Sequence, residues 1–349
     1  MALLYIDEFE NGAVGVNLNA GPNASLFQVR VIIGQGEFVR IVNGTLSDKQ
    51  VVIRSRGGAA HQQNGFVLLD GVHTDEKITV GFALSVSGNI NNTSSGISVG
   101  NTKPLSFSNH VSSILVINSD GSCTIGDLTS APGLFLDSVY SYVEVTVDYG
   151  TGSFDLWVNN VHQGSGSMSF SGEKKVQFGA TGVTSSSLYE FYDDIYILDD
   201  AGTTHNQRLG PVRAVRVPFN ATTEANFTPF GAADNITAIN KDAPNTSTFN
   251  RSPAANNVGD YFKLDTSVLP EDRPIIAVQQ SAMYRKTDIG ERALKLVAKE
   301  GVDRKEHPLP DRLVTFSGGP AQILEAAADG SAWDLTNLAA TDFGYEVTE

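Results

Sequence analysis

The stretch "YVEVTVDYGTGSFDLWVNN", Tyr142 to Asn160, constrains the fold of this chain more than any other. Val143, Val145 and Val147 alternate with Glu144, Thr146 and Asp148. Gly150-Thr151-Gly152 then turns the chain, and Phe154, Leu156 and Val158 resume the alternation around Asp155 and Trp157. Successive side chains of a strand point to opposite faces, so a period of two on both arms predicts a hairpin with one buried face. The same texture fills the first two hundred residues: "LFQVRVIIG", "GEFVRIVNG", "QVVIRSR", "NGFVLLD", "KITVGFALSVSG", "SSILVINSDGSCTIG", "KKVQFGA" and "YDDIYILDD". These runs are short, rich in β-branched and aromatic residues, and punctuated by Gly, Asn and Asp, which predicts an all-β sandwich or barrel. No amphipathic helix is visible there. Composition agrees: only 18% of residues are charged, so polar surface must come from Ser, Thr, Asn and the 34 Gly, while 41% apolar content permits a real core.

With 349 residues the chain has room for two domains. Its texture changes after Gly202, which divides it into 1–202 and a smaller β domain over 203–349. "LGPVRAVRVPFN" reads as a strand ended by Pro218, and Asn220 to Gly259 as a long polar excursion. A structureless loop of that length is unusual inside a compact domain, and reaching across a subunit boundary would account for it. "RALKLVAKEG" favours strand alternation, and "PAQILEAAADG" is ambiguous between helix and strand, its Ala run making it the most helix-like piece.

Two resemblances follow from these residues. The hairpin closing on "LWVNN", with "EFYDDIYILDD" as a last strand returning beside "LLYIDEFENG", resembles concanavalin A-like, laminin-G-type jelly-roll sandwiches. The order "RLGPVRAVRVPF", "DYFKL", "IIAVQQSAMYRKTDIGERALKLVAKEG" and "DGSAWDLTNLAATDFGYEV" is similar to virion structural proteins of tailed bacteriophages, with Trp333, Asn337, Phe343 and Gly344 matching their usual ending. That second resemblance implies a non-enzymatic tail, baseplate, fibre or decoration component, assembled in the bacterial host cytoplasm. It would act by homo-oligomerisation, with a trimer as the first expectation, and by packing on other virion proteins. A carbohydrate-binding adhesin contacting a host surface glycan is the alternative.

Three readings are open for the Asp pairs of "LYEFYDDIYILDD". Asp193-Asp194 can bond backbone amides near a sheet edge, or supply carboxylates to a calcium ion, the cation that the laminin-G-type resemblance implies. As a catalytic dyad they would need a facing partner. Asp199-Asp200 fits a turn. Glycoside hydrolases of the jelly-roll class often carry Glu-x-Asp-x-x-Glu, a spacing absent here, so hydrolysis with Asp148 or Asp193 as its carboxylate is disfavoured. Glu144 and Asp148 read as a solvated polar stripe. Trp157 and Tyr192 are the aromatics that could meet a sugar ring, the other reading being core or interface packing.

Other chemistry finds little support. Net charge is −15 with no Lys/Arg run, which argues against direct nucleic-acid binding. Cys123 is alone, so no intramolecular disulfide forms, and His61, His73, His110, His162, His205 and His307 are not spaced as metal pairs. Gly96-Ile97-Ser98-Val99-Gly100 matches a nucleophile elbow without the strand–turn–helix that such a serine needs. No cofactor fingerprint occurs. "MALLYIDEFE" lacks the basic start of a secretory signal, and no run is long enough to span a membrane. Sequons such as Asn23, Asn43, Asn226 and Asn235 read as compositional noise.

Overall fold

The computed structural model describes residues 3–7, 30–32, 38–43, 49–55, 65–70, 77–87, 102–107, 114–170, 175–179, 188–241, 246–253, 256–287, 292–310, 316–318 and 321–348. The Gly96–Gly100 match, the sequon at Asn23 and His61, His73 and His110 lie outside the described residues. The chain forms two compact units, one running through to Ala214 and the other from Val215 to Glu349. Residues 203–214, read from sequence with the second domain, belong to the first unit.

The first unit is a jelly-roll sandwich. Its strands are β1 (Leu3–Asp7), β2 (Arg30–Ile32), β3 (Phe38–Asn43), β4 (Lys49–Ser55), β5 (Gly65–Asp70), β6 (Lys77–Ser87), β7 (Thr102–Ser106), β8 (Ile114–Ile117), β9 (Cys123–Ile125), β10 (Leu128–Thr129), β11 (Ser141–Asp148), β12 (Ser153–Val158), β13 (Val161–Ser167), β14 (Lys175–Phe178) and β15 (Leu188–Asp199). The main sheet has the order β13-β12-β11-β6-β15-β4-β3, with β1 also paired to β15. The facing sheet has the order β10-β9-β8-β7-β14-β5-β2. All pairings are antiparallel, as expected where neighbours join by turns and one face stays open to solvent. The sheets meet through apolar rows: Val143, Val145 and Val147 of β11 are buried beside Phe82 and Val80 of β6, and Phe82 meets Phe178 of the facing sheet edge to face at 5.2 Å. Burying each such side chain contributes roughly 1.5–3 kcal/mol relative to leaving it exposed.

The predicted hairpin is β11–β12, with Val145 opposite Leu156 and Glu144 opposite Trp157. Asn159 and Asn160, both at positive φ (50° and 65°), make the two-residue turn into β13 that matches the right-handed twist of its strands. Asp148 caps the preceding turn: its carboxylate accepts the backbone N–H of Gly150 and Thr151 at 2.8 and 2.9 Å. Those bonds hold its pKa below the usual carboxylate value.

The second unit is a smaller β structure. Its elements are β16 (Phe219–Glu224), β17 (Thr228–Phe230), α1 (Asn235–Ile239), β18 (Phe249–Arg251), β19 (Val258–Leu264), β20 (Val278–Gln280), β21 (Met283–Tyr284), β22 (Ala293–Glu300), β23 (Asp303–Pro308), β24 (Ser317–Gly318), β25 (Gln322–Leu324), α2 (Leu335–Ala340) and β26 (Asp342–Thr348). A five-stranded sheet, β16-β19-β26-β22-β23, is joined by the ribbons β17-β18, β20-β25 and β21-β24. Ala298, Leu324, Ala327, Trp333, Leu338 and Phe343 form one core cluster, and Trp333 donates its ring N–H to the Leu324 carbonyl at 2.8 Å.

The strand read as ending at Pro218 instead begins after it, at Phe219. "PAQILEAAADG", ambiguous between helix and strand in sequence, is a short strand and a turn, and its Leu324 and Ala327 belong to the Trp333 cluster. The excursion after Asn220 is not structureless where it is described: it supplies β16, β17, α1 and β18. The buried Asp260 fastens it. Its carboxylate accepts the backbone N–H of Asn226 and Phe227 at 2.7 and 2.8 Å, the Asn235 amide at 2.6 Å and the Tyr345 hydroxyl at 2.9 Å.

Candidate functional site

One row of cross-strand neighbours crosses the outer face of the main sheet. His162 of β13 lies opposite Trp157 of β12, Trp157 opposite Glu144 of β11, Glu144 opposite Gly81 of β6, and Gly81 opposite Tyr196 of β15. Gly81 is what permits this row. A Cβ there would overlap the Tyr196 ring, so only glycine lets the ring lie flat across β6 and bring its hydroxyl to Glu144, 2.6 Å away.

A β-bulge aims Tyr196 outward. The register between β15 and β6 shifts between Asp193 and Tyr196, and Asp194 takes a positive φ of 49°. A bulge inserts one residue and so reverses the parity of all that follow. Tyr192 and Tyr196, expected on one face, therefore point to opposite faces. Tyr192 is 0% exposed, packs on Phe82 and Phe178 at 5.9 and 5.6 Å, and donates to Glu190 at 2.8 Å. With its ring closed in by the core it has no face to offer a sugar.

The Asp pair builds this bulge. Asp193 and Asp194 are 0% and 3% exposed. Asp193 accepts the Asp194 N–H at 2.9 Å, Asp194 accepts the Ala214 N–H at 2.9 Å, and Tyr142 donates its hydroxyl to the Asp194 carbonyl at 3.1 Å. Asp199 accepts the Ala201 N–H at 3.0 Å as a turn residue. Among the described residues no group of three or more His, Cys, Asp or Glu is gathered to hold a metal ion.

After β15, residues 203–214 run back over the outer face as a strap. Arg208 pairs with Glu144 at 2.5 Å and donates to Asn160 at 2.9 Å. Its guanidinium lies 4.9 Å from the centre of the Trp157 ring. Gly210 donates its N–H to Glu144 at 2.8 Å, and Leu209 donates to the Tyr196 hydroxyl at 3.2 Å. Glu144, expected to be solvated, is 0% exposed. Three donors make that burial tolerable, since a buried carboxylate must be paired and hydrogen-bonded. Burial and the neighbouring Glu144 carboxylate push the Tyr196 phenol far above its usual pKa, so it remains a donor at every ordinary pH. Sequence reading missed Arg208, Tyr196 and Gly81. A glycine inside the apolar run "KITVGFALSVS" is the one signal that pointed to a close approach.

At its sheet-edge end the row opens to solvent. Trp157 is half-buried, with the His162 ring 4.8 Å away on β13. His162 approaches Asp155 at 3.5 Å, their side chains being 47% and 43% exposed, and Ser165 donates to the same carboxylate. Asn160 completes the group from the turn. An indole edged by carboxylate, amide, guanidinium and imidazole groups provides an apolar patch together with planar donors and acceptors, which suits a polyhydroxylated ring.

No family model matches the chain, and no curated protein matches it. Solved structures with a similar sandwich do. One is a sialidase: TM-score 0.40, 11% identity, 56% of this chain and 18% of that one, so the chain spans under a fifth of its length. Another is the catalytic domain of a GH131 β-glucanase from Podospora anserina: TM-score 0.43, 13% identity, 56% of this chain and 96% of that one. A third is the alginate lyase AlyC3: TM-score 0.35, 12% identity, 48% of this chain and 80% of that one. These likenesses concern the fold. The expectation of a non-enzymatic protein is corrected to this extent: a glucanase catalytic domain and an alginate lyase are among the structures it resembles in fold. The missing Glu-x-Asp-x-x-Glu spacing removes one arrangement of carboxylates and not catalysis as such.

Proposed function

We propose that the protein recognises carbohydrate, and that the solvent-open end of the Trp157 row is its contact surface. The observation that carries this reading is the geometry around Trp157: a half-buried indole braced by Arg208 on its ring and by His162 across the strand, with Asp155 and Asn160 beside it. Planar polar groups meet vicinal hydroxyls in pairs, and an aromatic surface meets the C–H face of a sugar. Bracing also lowers the ordering cost of binding, because Arg208 is already fixed by Glu144 and Asn160. The motif order that resembles tailed-phage virion proteins supports placing this activity on an exposed part of such a particle, in a homo-oligomer. Light scattering on the purified chain tests that part, with a monomer at micromolar concentration as the contrary result.

The binding itself is tested by titrating the full chain with a panel of neutral oligosaccharides by calorimetry, alongside Trp157→Ala and Trp157→Phe. Loss of an aromatic contact of about 1.4 kcal/mol is tenfold in affinity. Binding weakened about tenfold in Trp157→Ala and largely kept in Trp157→Phe is the expected outcome. Affinity indifferent to both substitutions would remove Trp157 from the site.

A further inference from the structure

The outer face beside Trp157 carries a second row of cross-strand neighbours. Side chains two apart on a strand share a face, so Asp155 and Trp157 of β12 point the same way, about 7 Å apart along the strand. In the second row Ser165 of β13 lies opposite Asp155, Asp155 opposite Thr146 of β11, and Thr146 opposite Thr79 of β6. Thr146 and Thr79 share a hydroxyl bond of 2.9 Å, and Thr79 is buried. Ser165 is exposed and Thr146 half-buried, so the row is open from β13 to β11. It offers hydroxyls and one carboxylate.

Asp155 is set as an acceptor. Ser165 donates to it and His162 approaches it at 3.5 Å, and both reach the same oxygen, Oδ1. Oδ2 is left as an acceptor among the described residues, on a side chain 43% exposed. The two contacts orient the carboxylate before any ligand arrives, which lowers the ordering cost of binding. A carboxylate accepts hydrogen bonds and does not donate them, so it suits the hydroxyl of a neutral sugar and repels a uronate.

The surroundings set the direction in which a glycan can leave the Trp157 ring. Across the sheet the way is closed, because Arg208 and Gly210 of the strap cover Glu144. Toward the β12–β13 turn, Arg208 bonds Asn160 at 2.9 Å and lies across that end. Along β12 the face leads from Trp157 to Asp155 and on to the exposed Ser153. The step from Trp157 to Asp155 is close to the length of one sugar residue.

We propose that Asp155, held by Ser165, is a second sugar subsite, and that the Trp157 surface takes a neutral oligosaccharide of two or more residues laid along β12. The subsite rests on the Trp157 surface being a sugar contact, and adds to it the length, direction and charge of the ligand.

The test is calorimetry on the full chain with glucose, galactose and mannose, with the β-1,4-linked di- and tetrasaccharide of each, and with the same disaccharides oxidised at one C6 to the carboxylate. In at least one neutral series the disaccharide is expected to bind at least about tenfold tighter than its monosaccharide, and at least about tenfold tighter than its oxidised form. In Asp155→Ala the disaccharide is expected to bind no tighter than the monosaccharide. In Asp155→Asn the preference for the neutral over the oxidised disaccharide is expected to be lost, a change that a merely structural role for Asp155 would not produce. Circular dichroism and thermal melts check that each variant is folded. Equal affinity for mono- and disaccharide in every series that binds overturns the proposal. So does an oxidised disaccharide bound as tightly as its neutral parent, or both preferences surviving the Asp155 substitutions. Trp157→Ala in the same runs separates the two readings. Binding weakened there but indifferent at Asp155 removes the second subsite alone, whereas no binding in any series, or binding indifferent to Trp157→Ala, removes the Trp157 contact and the subsite with it.

Discussion

At the scale of single residues, the outer face of the main sheet depends on Gly81 and Asp194. Gly81 leaves room for the Tyr196 ring, and Asp194 accepts the positive φ that turns Tyr196 outward. Gly81→Ala forces a methyl group into the Tyr196 ring, and overpacking of this kind costs about 1–3 kcal/mol. The expected readout is a lowered denaturation midpoint together with faster amide exchange at Leu209 and Gly210, which bond to Tyr196 and Glu144. Glu144→Gln keeps the shape of the side chain and removes its charge. The new amide then turns donors toward Arg208 or Tyr196, both of which donate to Glu144 now. Removing one partner of a buried pair costs about 3–5 kcal/mol, and the Arg208 side chain, 25% exposed, places this near the lower end. Urea denaturation measures it, and a change under about 1 kcal/mol would show that the cluster does not hold the strap.

At the scale of elements, the sequence was legible where alternation is local. The β11–β12 hairpin follows from its valines, and β22 from Leu294 and Leu296 around Lys295. It was not legible where a long-range contact decides. The parity of β15 fails at Asp194 because a bulge leaves no mark in the apolar pattern on either side. "PAQILEAAADG" stayed ambiguous between helix and strand, because packing of Leu324 and Ala327 around Trp333 decides it rather than propensity. The helix that forms, α2, is short and is set by its cap: Asp334 accepts the Asn337 N–H while the Asn337 side chain accepts that of Asp334. The excursion after Asn220 folds because Asp260, distant in sequence, collects its donors. Asp260→Ala leaves four donors without their acceptor, and limited proteolysis is expected to open the segment between Asn226 and Arg251 ahead of global unfolding. A pH dependence belongs to the five-stranded sheet. Burial raises the Glu346 carboxyl, but bonds from Tyr261, Arg304 and Lys295 outweigh it and hold it at about 2. Its folded value lies below its unfolded one, so its stabilisation is present above about pH 4.5 and is lost as pH falls toward 2. Thermal melts of Glu346→Gln and the parent chain are expected to differ at pH 6 and to converge near pH 2.

At the scale of the whole molecule, the all-β class was written in the spacing of short strands and in the low charged fraction, both of which the sandwich explains. The candidate site was only half written. Trp157 could be named from its parity, but the partners that brace it come from β13, the Asn159-Asn160 turn and the strap after β15, which no local pattern brings together. The account rests on the Trp157 surface being a sugar contact. The measurement that tests it most directly is calorimetric titration of the full chain and of Trp157→Ala with neutral oligosaccharides, with product release followed in the same samples. The account predicts saturable binding to at least one neutral glycan, weakened about tenfold by the substitution while the variant remains folded. Equal affinity in the two proteins, or no binding by the parent chain across the panel, would contradict it.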